Sequence, residues 1–269
     1  MPTNRPRGTG NPPPTVESVT AEMRRRVLDG EFRPEGDAPA YLPSARELSE
    51  HYGLSRQAIG RVIGALKAEG LIISRPGVAA YVRHVQPVEF PMHVFERGQR
   101  RDDADRGVDD WKAAIEEQGR VPSQDTPQVT VERAPDDIAA WLRLPPRTFA
   151  VVRRRLRRVD GEPWQLSDSW FPHAVAMDTP LMEERDVTMP GGVLANVHES
   201  RYRQARVRDE IRSWSLTPQE KQRLGLDQDV TLPATRHTRI GYAADGMPVR
   251  CMVTIAPGDR NVLVYEMEV

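Results

Sequence analysis

PSARELSEHYGLSRQAIGRVIGALKAEGLIISRPGVAAYV, residues 43–82, holds two helical patterns parted by one glycine and followed by two short apolar runs. Ser44 and Glu47 stand three apart at the start of the first pattern. At that spacing each side chain satisfies a backbone N–H of the first turn. Ala45, Leu48 and Tyr52 supply its apolar stripe, and Gly53 ends it. Leu54 bridges a tight turn to Ser55, a residue type that caps helix N-termini. Ile59, Val62, Ile63 and Leu66 then recur at i, i+3, i+4 and i+7, so one face of the second helix is core. Arg56, Gln57, Gly60, Arg61 and Gly64 fall on the opposite face, and Gly70 stops the helix. Leu71 to Ser74 and Ala79 to Arg83 read as the strands of a hairpin around Arg75, Pro76, Gly77 and Val78. Upstream, Val16, Val19, Met23 and Val27 predict a helix over 15–29, ended by Gly30, and the Pro-, Gly- and acid-rich stretch 32–42 is a loop.

A helix, a tight turn and a second amphipathic helix suit the major groove of DNA, which is about 12 Å wide and admits one helix. Arginine bonds guanine bidentately, glutamine bonds adenine, and either holds phosphate. The helix N-terminal amides beside Ser55 suit a phosphate as well. An ordinary solvated helix would show the same polar face, so the pattern alone leaves both readings open.

The chain of 269 residues is long enough for two modest domains. No apolar run approaches the roughly 20 residues of a membrane span. Residues 1–14 carry Arg5, Arg7 and three consecutive prolines with no apolar h-region, which reads as a disordered arm and not a secretory signal. Cys251 is the only cysteine, so no internal disulfide forms and the reducing cytoplasm is the expected location. The net charge of −1 hides an asymmetry: residues 1–84 carry 12 Lys+Arg against 9 Asp+Glu, and residues 85–269 carry 26 against 30. A mildly basic N-terminal part is compatible with DNA and does not establish it.

Beyond the hairpin, 85–108 is charged and poorly patterned and reads as a linker, and Trp111 to Gln118 as a short helix. From Gln128 the pattern turns to strands with interspersed helices: a strand at 129–132, then a helix at 136–142. Phe149 to Val159 and Pro163 to Phe171 flank Asp160-Gly161, and Thr235 to Tyr242 and Pro248 to Ile255 flank Asp245-Gly246. Asp-Gly between such runs is a hairpin signal. Residues 207–214 and 217–224 read as one helix or two, the second capped by Thr217 and Glu220, and 262–267 as a closing strand.

The stretch Pro43 to Val82 closely resembles the winged helix-turn-helix of the GntR family of bacterial transcription regulators, without a gap. The resemblance implies contacts to double-stranded operator DNA from Arg46 of the PSARE motif and from Ser55, Arg56 and Gln57 at the start of the recognition helix. It also implies minor-groove contacts from the wing tip, here Arg75 to Gly77. Where the family often has another arginine, this chain has Gly60, and the adjacent Arg61 stands in. The stretches PDDIAAWLRLP, VVRRRLRRVDGEPWQLSDSWFP, the PGG at 190–192 and YAADGMPVR resemble the UTRA domain of the HutC branch. That implies a fold like chorismate lyase, a mixed sheet with helices packed on it, together with a ligand pocket and a homodimer. The expected architecture is α+β: an arm at 1–14, a winged helix-turn-helix at 15–84, a linker at 85–108 and a UTRA domain at 109–269.

On an extended strand, Arg153, Arg155 and Arg157 share one face, and Val152, Arg154, Leu156 and Arg158 share the other. So many arginines cannot all be buried unpaired. They are either salt-bridged to nearby acids or form an anion site, since guanidinium forks match carboxylate and phosphate. In sugar-phosphate-sensing relatives an Arg-x-Arg before the hairpin binds the effector's phosphate, which maps to Arg155 and Arg157. Relatives that bind amino-sugar phosphates carry a glutamate where this chain has Ser167 and another near Arg250, so an amino-sugar effector is not expected. The resemblance therefore implies a repressor released by a small, anionic effector held by Arg155, Arg157 and Ser167. The alternatives are an activator, or a C-terminal domain that only dimerises. An enzyme is the least favoured class: the six histidines show no HExxH or other metal-ligand spacing, and there is no GxSxG and no phosphate loop. No cofactor is expected.

Overall fold

The computed structural model describes residues 13–32, 40–73, 79–83, 85–92, 110–187 and 193–266. Most of the N-terminal arm, the wing tip with Arg75 and Gly77, residues 93–108 of the expected linker, and the PGG at 190–192 lie outside the described residues. Two units are resolved, one of residues 1–84 with 229–231 and one of 85–228 with 232–269.

The first unit holds α1 (Val16–Leu28), α2 (Ala45–Tyr52), α3 (Arg56–Ala68), β1 (Ile72–Ile73) and β2 (Tyr81–Val82). Its core is the apolar stripes read from the sequence: Val19, Met23 and Val27 of α1, Leu48 and Tyr52 of α2, Ile59, Val62 and Leu66 of α3, and Ile72 and Val82 of the hairpin. The capping box of Ser44 and Glu47 forms at the start of α2. Gly53 ends that helix at φ 65°, a left-handed value that favours glycine. The Ser49 hydroxyl donates to the Leu54 carbonyl at 2.5 Å and fixes the turn. A second capping box, Thr15 with Ser18, starts α1 and was not evident in the sequence. Arg24 makes a two-pronged contact with Glu69 at 2.6 and 2.5 Å, tying α1 to the end of α3. The hairpin strands are shorter than expected, with Ile72 opposite Val82 and Ile73 opposite Tyr81.

The second unit is built on a seven-stranded sheet of β4 (Pro122–Gln124), β5 (Gln128–Arg133), β6 (Phe149–Val159), β7 (Glu162–Pro172), β8 (Arg206–Ser215), β9 (Pro233–Tyr242) and β10 (Pro248–Pro257). The order is β4-β6-β7-β10-β9-β8, with β5 also on β6, and every pairing is antiparallel. Both expected hairpins form. Asp160 and Gly161 take φ 52° and 79°, the paired positive values of a tight strand turn, and Gly246 takes φ 81°.

Two expectations are corrected. Residues 207–214 are not a helix but β8, the edge strand. Val207, Ile211 and Trp214 mimic helical spacing, yet the chain also alternates, and the alternation wins because Arg206, Arg208 and Arg212 are exposed while β9 supplies the backbone partners. The second correction concerns the expected linker, which contains a strand, β3 (Val88–Pro91). It pairs in parallel with β11 (Asn261–Val264) in a small sheet of its own. Its buried Val88 and Phe90 join Trp111, Ala114 and Ile115 of helix α4 (Asp110–Glu116).

One face of the main sheet is apolar. Val152, Leu166, Trp170, Cys251, Val253, Ile255 and Ile240 pack against Ile138 and Ala139 of α5 (Asp136–Trp141) and against Leu216 and Leu224, which flank α8 (Pro218–Arg223). The opposite face carries an apolar cluster at each end. One centres on Val151, Phe171 and Val249 with the short helices α6 (His173–Ala176) and α7 (Val193–Asn196), and the other on Val159 and Trp164. Between the two clusters the sheet face is polar.

Candidate DNA and effector sites

α3 presents two faces of opposite character. Ala58, Ile59, Val62 and Leu66 are buried, while Arg56, Gln57, Gly60, Arg61 and Gly64 are exposed. A Cβ at Gly60 or Gly64 would meet nothing within 4 Å, so that side of the helix lies open along its length. Ser55 caps α3, its hydroxyl oxygen accepting from the Ala58 amide at 3.2 Å, which leaves its proton to donate elsewhere. Arg46 projects from α2, its side chain 73% exposed, and its Nε donates to Glu50 one turn on at 2.9 Å. An exposed pair of this kind contributes about 0–1 kcal/mol, so a phosphate displaces Glu50 at little cost. The structure brings Ser55, Arg56, Gln57 and Arg61 onto one helix and leaves Arg46 extended on the preceding one. A bare helix with this surface offers hydrogen-bond forks and positive charge to a groove.

In the second unit the structure sorts the arginines of β6 into separate tasks. Arg154 is paired on the apolar face with Glu132 and lies 3.8 Å from Asp168, which Arg223 also grips at 2.8 and 3.0 Å. Arg158 pairs with Asp125 at 2.9 Å. Arg153 is wholly buried, and its guanidinium donates to the carbonyls of Leu181, Glu183 and Arg185 at 2.6, 2.7 and 2.7 Å. Burial pulls its pKa below the ordinary arginine value. For these three the salt-bridge or structural reading of the arginine run holds.

Arg155 and Arg157 face the polar band, and Arg157 lies over the Trp111 ring at 4.7 Å. Strand pairing places Arg155 opposite Ser167, Ser167 opposite Thr254, and Thr254 opposite His237. Residues directly opposite on antiparallel strands point to the same face, so these four form one row across β6, β7, β10 and β9. The next row carries Arg153, Ser169, Met252 and Arg239, and Arg250 donates to the Ser169 hydroxyl at 2.9 Å. Ser167 is buried, and its hydroxyl meets no hydrogen-bond partner among the described residues.

The far end of the band holds a cluster that sequence reading missed. Asp209 of β8 receives Arg239 at 2.7 Å on each oxygen and lies 2.7 Å from His237 Nε2. Burial alone would raise the Asp209 carboxyl. The hydrogen bonds from His237 and Arg239 and the Arg239 charge outweigh it and hold the group well below the usual carboxylate range. The helix-like spacing of 207–214 hides this cluster in the sequence, since only as strand β8 beside β9 does the segment bring Asp209 to His237 and Arg239. Cys251 sits inside the apolar core, where burial pushes its thiol up to about 12.

Comparison with known proteins agrees with this two-part construction. The UTRA domain matches residues 117–261, and the model for bacterial regulatory proteins of the gntR family matches residues 15–82. The chain is 21% identical over 261 residues to the HTH-type transcriptional repressor NagR of Bacillus subtilis, covering 96% of each. It is 27% identical over 214 residues to the HTH-type transcriptional regulator Rv0792c of Mycobacterium tuberculosis, covering 79% of this chain and 72% of that one. PhnF from Mycobacterium smegmatis, a solved structure, shares the fold with a TM-score of 0.53 at 18% identity, over 93% of this chain and 99% of that one. With a gntR-type helix-turn-helix at one end and a UTRA match across more than half of its length, the chain belongs to the GntR family of bacterial transcriptional regulators, not to an enzyme family.

Proposed function

We propose that the protein is a cytoplasmic, homodimeric repressor that binds a near-palindromic operator and leaves it when an anionic small molecule occupies the polar band of its UTRA domain. The observation that carries the DNA half is the open face of α3, where Arg56, Gln57 and Arg61 project with no side chain at Gly60 or Gly64 to block a groove. In this reading Arg56, Gln57 and Arg61 meet base edges and phosphate, Ser55 and Arg46 hold the backbone, and Arg75 with Gly77 enters the minor groove. The domains of this reading are the DNA-binding segment 15–84 and the effector-binding and dimerising segment 109–269. Arg155, Arg157 and Ser167 hold the effector. Two guanidinium groups beside an unsatisfied buried hydroxyl favour an anion there.

Footprinting on the DNA upstream of its own gene tests the first half. A dimer presents two recognition helices to one side of the duplex, so half-sites should lie about one turn apart, roughly 10 bp, or a multiple. Arg56→Ala and Arg46→Ala should each abolish protection while leaving thermal stability unchanged. A wild-type footprint from either variant refutes the assignment. Coupling is reciprocal, so operator DNA must weaken effector binding by the factor by which the effector weakens operator binding.

A further inference from the structure

The polar row does not stop at the residues assigned to the effector. Arg155, Ser167, Thr254 and His237 stand opposite one another on four successive strands. At about 4.8 Å per strand the outermost backbones are about 14 Å apart. The row changes character along its length: a cation at one end, two hydroxyls in the middle, an imidazole at the other. Opposite His237 on the edge strand is Ile211, so the polar recognition ends there. Ser167 supplies the independent sign that the row meets a ligand. Its hydroxyl is buried between Arg155 and Thr254 with no hydrogen-bond partner among the described residues, and leaving a buried polar group unsatisfied is unfavourable, so a ligand atom that meets it gains affinity.

His237 is held in one orientation. Arg239 grips both Asp209 oxygens at 2.7 Å, and His237 Nε2 lies 2.7 Å from one of them. An ionised carboxylate only accepts, so Nε2 carries the proton, which leaves Nδ1 as the ring nitrogen available to a ligand. A group fixed this way reads a ligand hydroxyl, which both donates and accepts. Asp209 is its positioning residue.

We infer that the effector is a hydroxylated anion lying along this row, its charged group at Arg155 and a hydroxyl at His237, and that His237 with Asp209 sets the preference for hydroxylated anions over simple ones. This rests on the effector site proposed above, and the test separates the two. The full chain is titrated by calorimetry and thermal shift with inorganic phosphate, glycerol 3-phosphate, glucose 6-phosphate and gluconate. Phosphate alone probes the Arg155 end, and the two ester lengths and the carboxylate distinguish the form of the anion. At least one hydroxylated anion should bind at least tenfold more tightly than inorganic phosphate. His237→Leu and Asp209→Asn should each remove about tenfold of that preference, the loss of one hydrogen bond, and leave the affinity for inorganic phosphate unchanged. That unchanged affinity also shows the variants are folded. If both variants retain the full preference, the inference is wrong while the Arg155 site stands. If no hydroxylated anion exceeds phosphate, the inference is wrong as to ligand class. If Arg155→Ala binds every probe as the wild type does, both this inference and the effector site beneath it fall.

Discussion

Arg153 gives the clearest separation of structural from functional arginines on β6, and Arg153→Met is the substitution that reads it. Methionine keeps most of the length and apolar contact of the side chain and removes every donor. Three charge-assisted hydrogen bonds disappear, those to the carbonyls of Leu181, Glu183 and Arg185. Such bonds contribute about 1.5–3 kcal/mol each, but two corrections reduce the total. Glu183 and Arg185 are exposed, so their carbonyls regain water in the variant. The variant also no longer carries the desolvation cost of a buried cation. With about 1 kcal/mol retained per bond, the expected loss is about 3 kcal/mol, a fall in Tm of about 6–12 °C for a unit of this size.

The assay is thermal unfolding followed by circular dichroism, paired with limited trypsin digestion. Arg185 is an exposed cleavage site in the segment that Arg153 anchors, so cutting after Arg185 should accelerate in the variant under native conditions. Arg155→Met should cost less than half as much stability and leave that cleavage rate unchanged. A variant Arg153→Met that melts within 1 °C of the wild type and shows no faster cleavage would refute the view that this guanidinium holds the 181–185 segment.

Three further outcomes are expected. Asp209 has its pKa depressed in the folded state below its ordinary 3.8, so its contribution to stability is full above about pH 4 and is lost as pH falls through the lower folded value; Asp209→Asn should therefore flatten the acid limb of a Tm-against-pH curve below pH 4. Gly60→Ala, a helix-interior glycine with open space around its Cβ position, should stabilise the first unit by about 0.5–1 kcal/mol in urea unfolding, whereas Ser55→Ala should destabilise it by about 1 kcal/mol through loss of the cap. Cys251, buried with its thiol pushed up to about 12, should resist iodoacetamide at pH 8 in the native protein and react at once in urea.

The first unit was legible because its signals are local. Ser44 and Glu47, Gly53 and Ser55 act within one turn of where they stand, and the i, i+3, i+4, i+7 stripe of α3 needs no distant partner to be read. The hairpins of the second unit were legible for the same reason, since Asp160-Gly161 fixes its own turn. What failed was long-range. β3 has four residues and gains its identity from β11, whose Asn261 stands opposite Val88 across most of the chain. β8 carries a helix-like spacing and is a strand only because β9 lies beside it. A single sequence holds no record of such pairings.

That limit also explains which parts of the candidate effector site the sequence yielded. Arg155 and Arg157 are marked by the resemblance to the UTRA Arg-x-Arg, while alternation along one strand assigns only the face they share with Arg153, a local inference. Alternation could not say that Arg153, on the same face, points its guanidinium into carbonyls from a segment some 30 residues downstream, so its role as an anchor is visible only in three dimensions. Ser167, Thr254 and His237 come from three other strands and become one row only through the registers of β7, β10 and β9. A one-residue slip in any of those registers would turn that strand's member of the row to the opposite face. The chemistry of the polar band therefore depends on sheet register as much as on residue identity. The buried opposite face, with Val152, Leu166, Trp170, Cys251, Val253 and Ile240, specifies that register, because a slip would turn those apolar side chains out of their core.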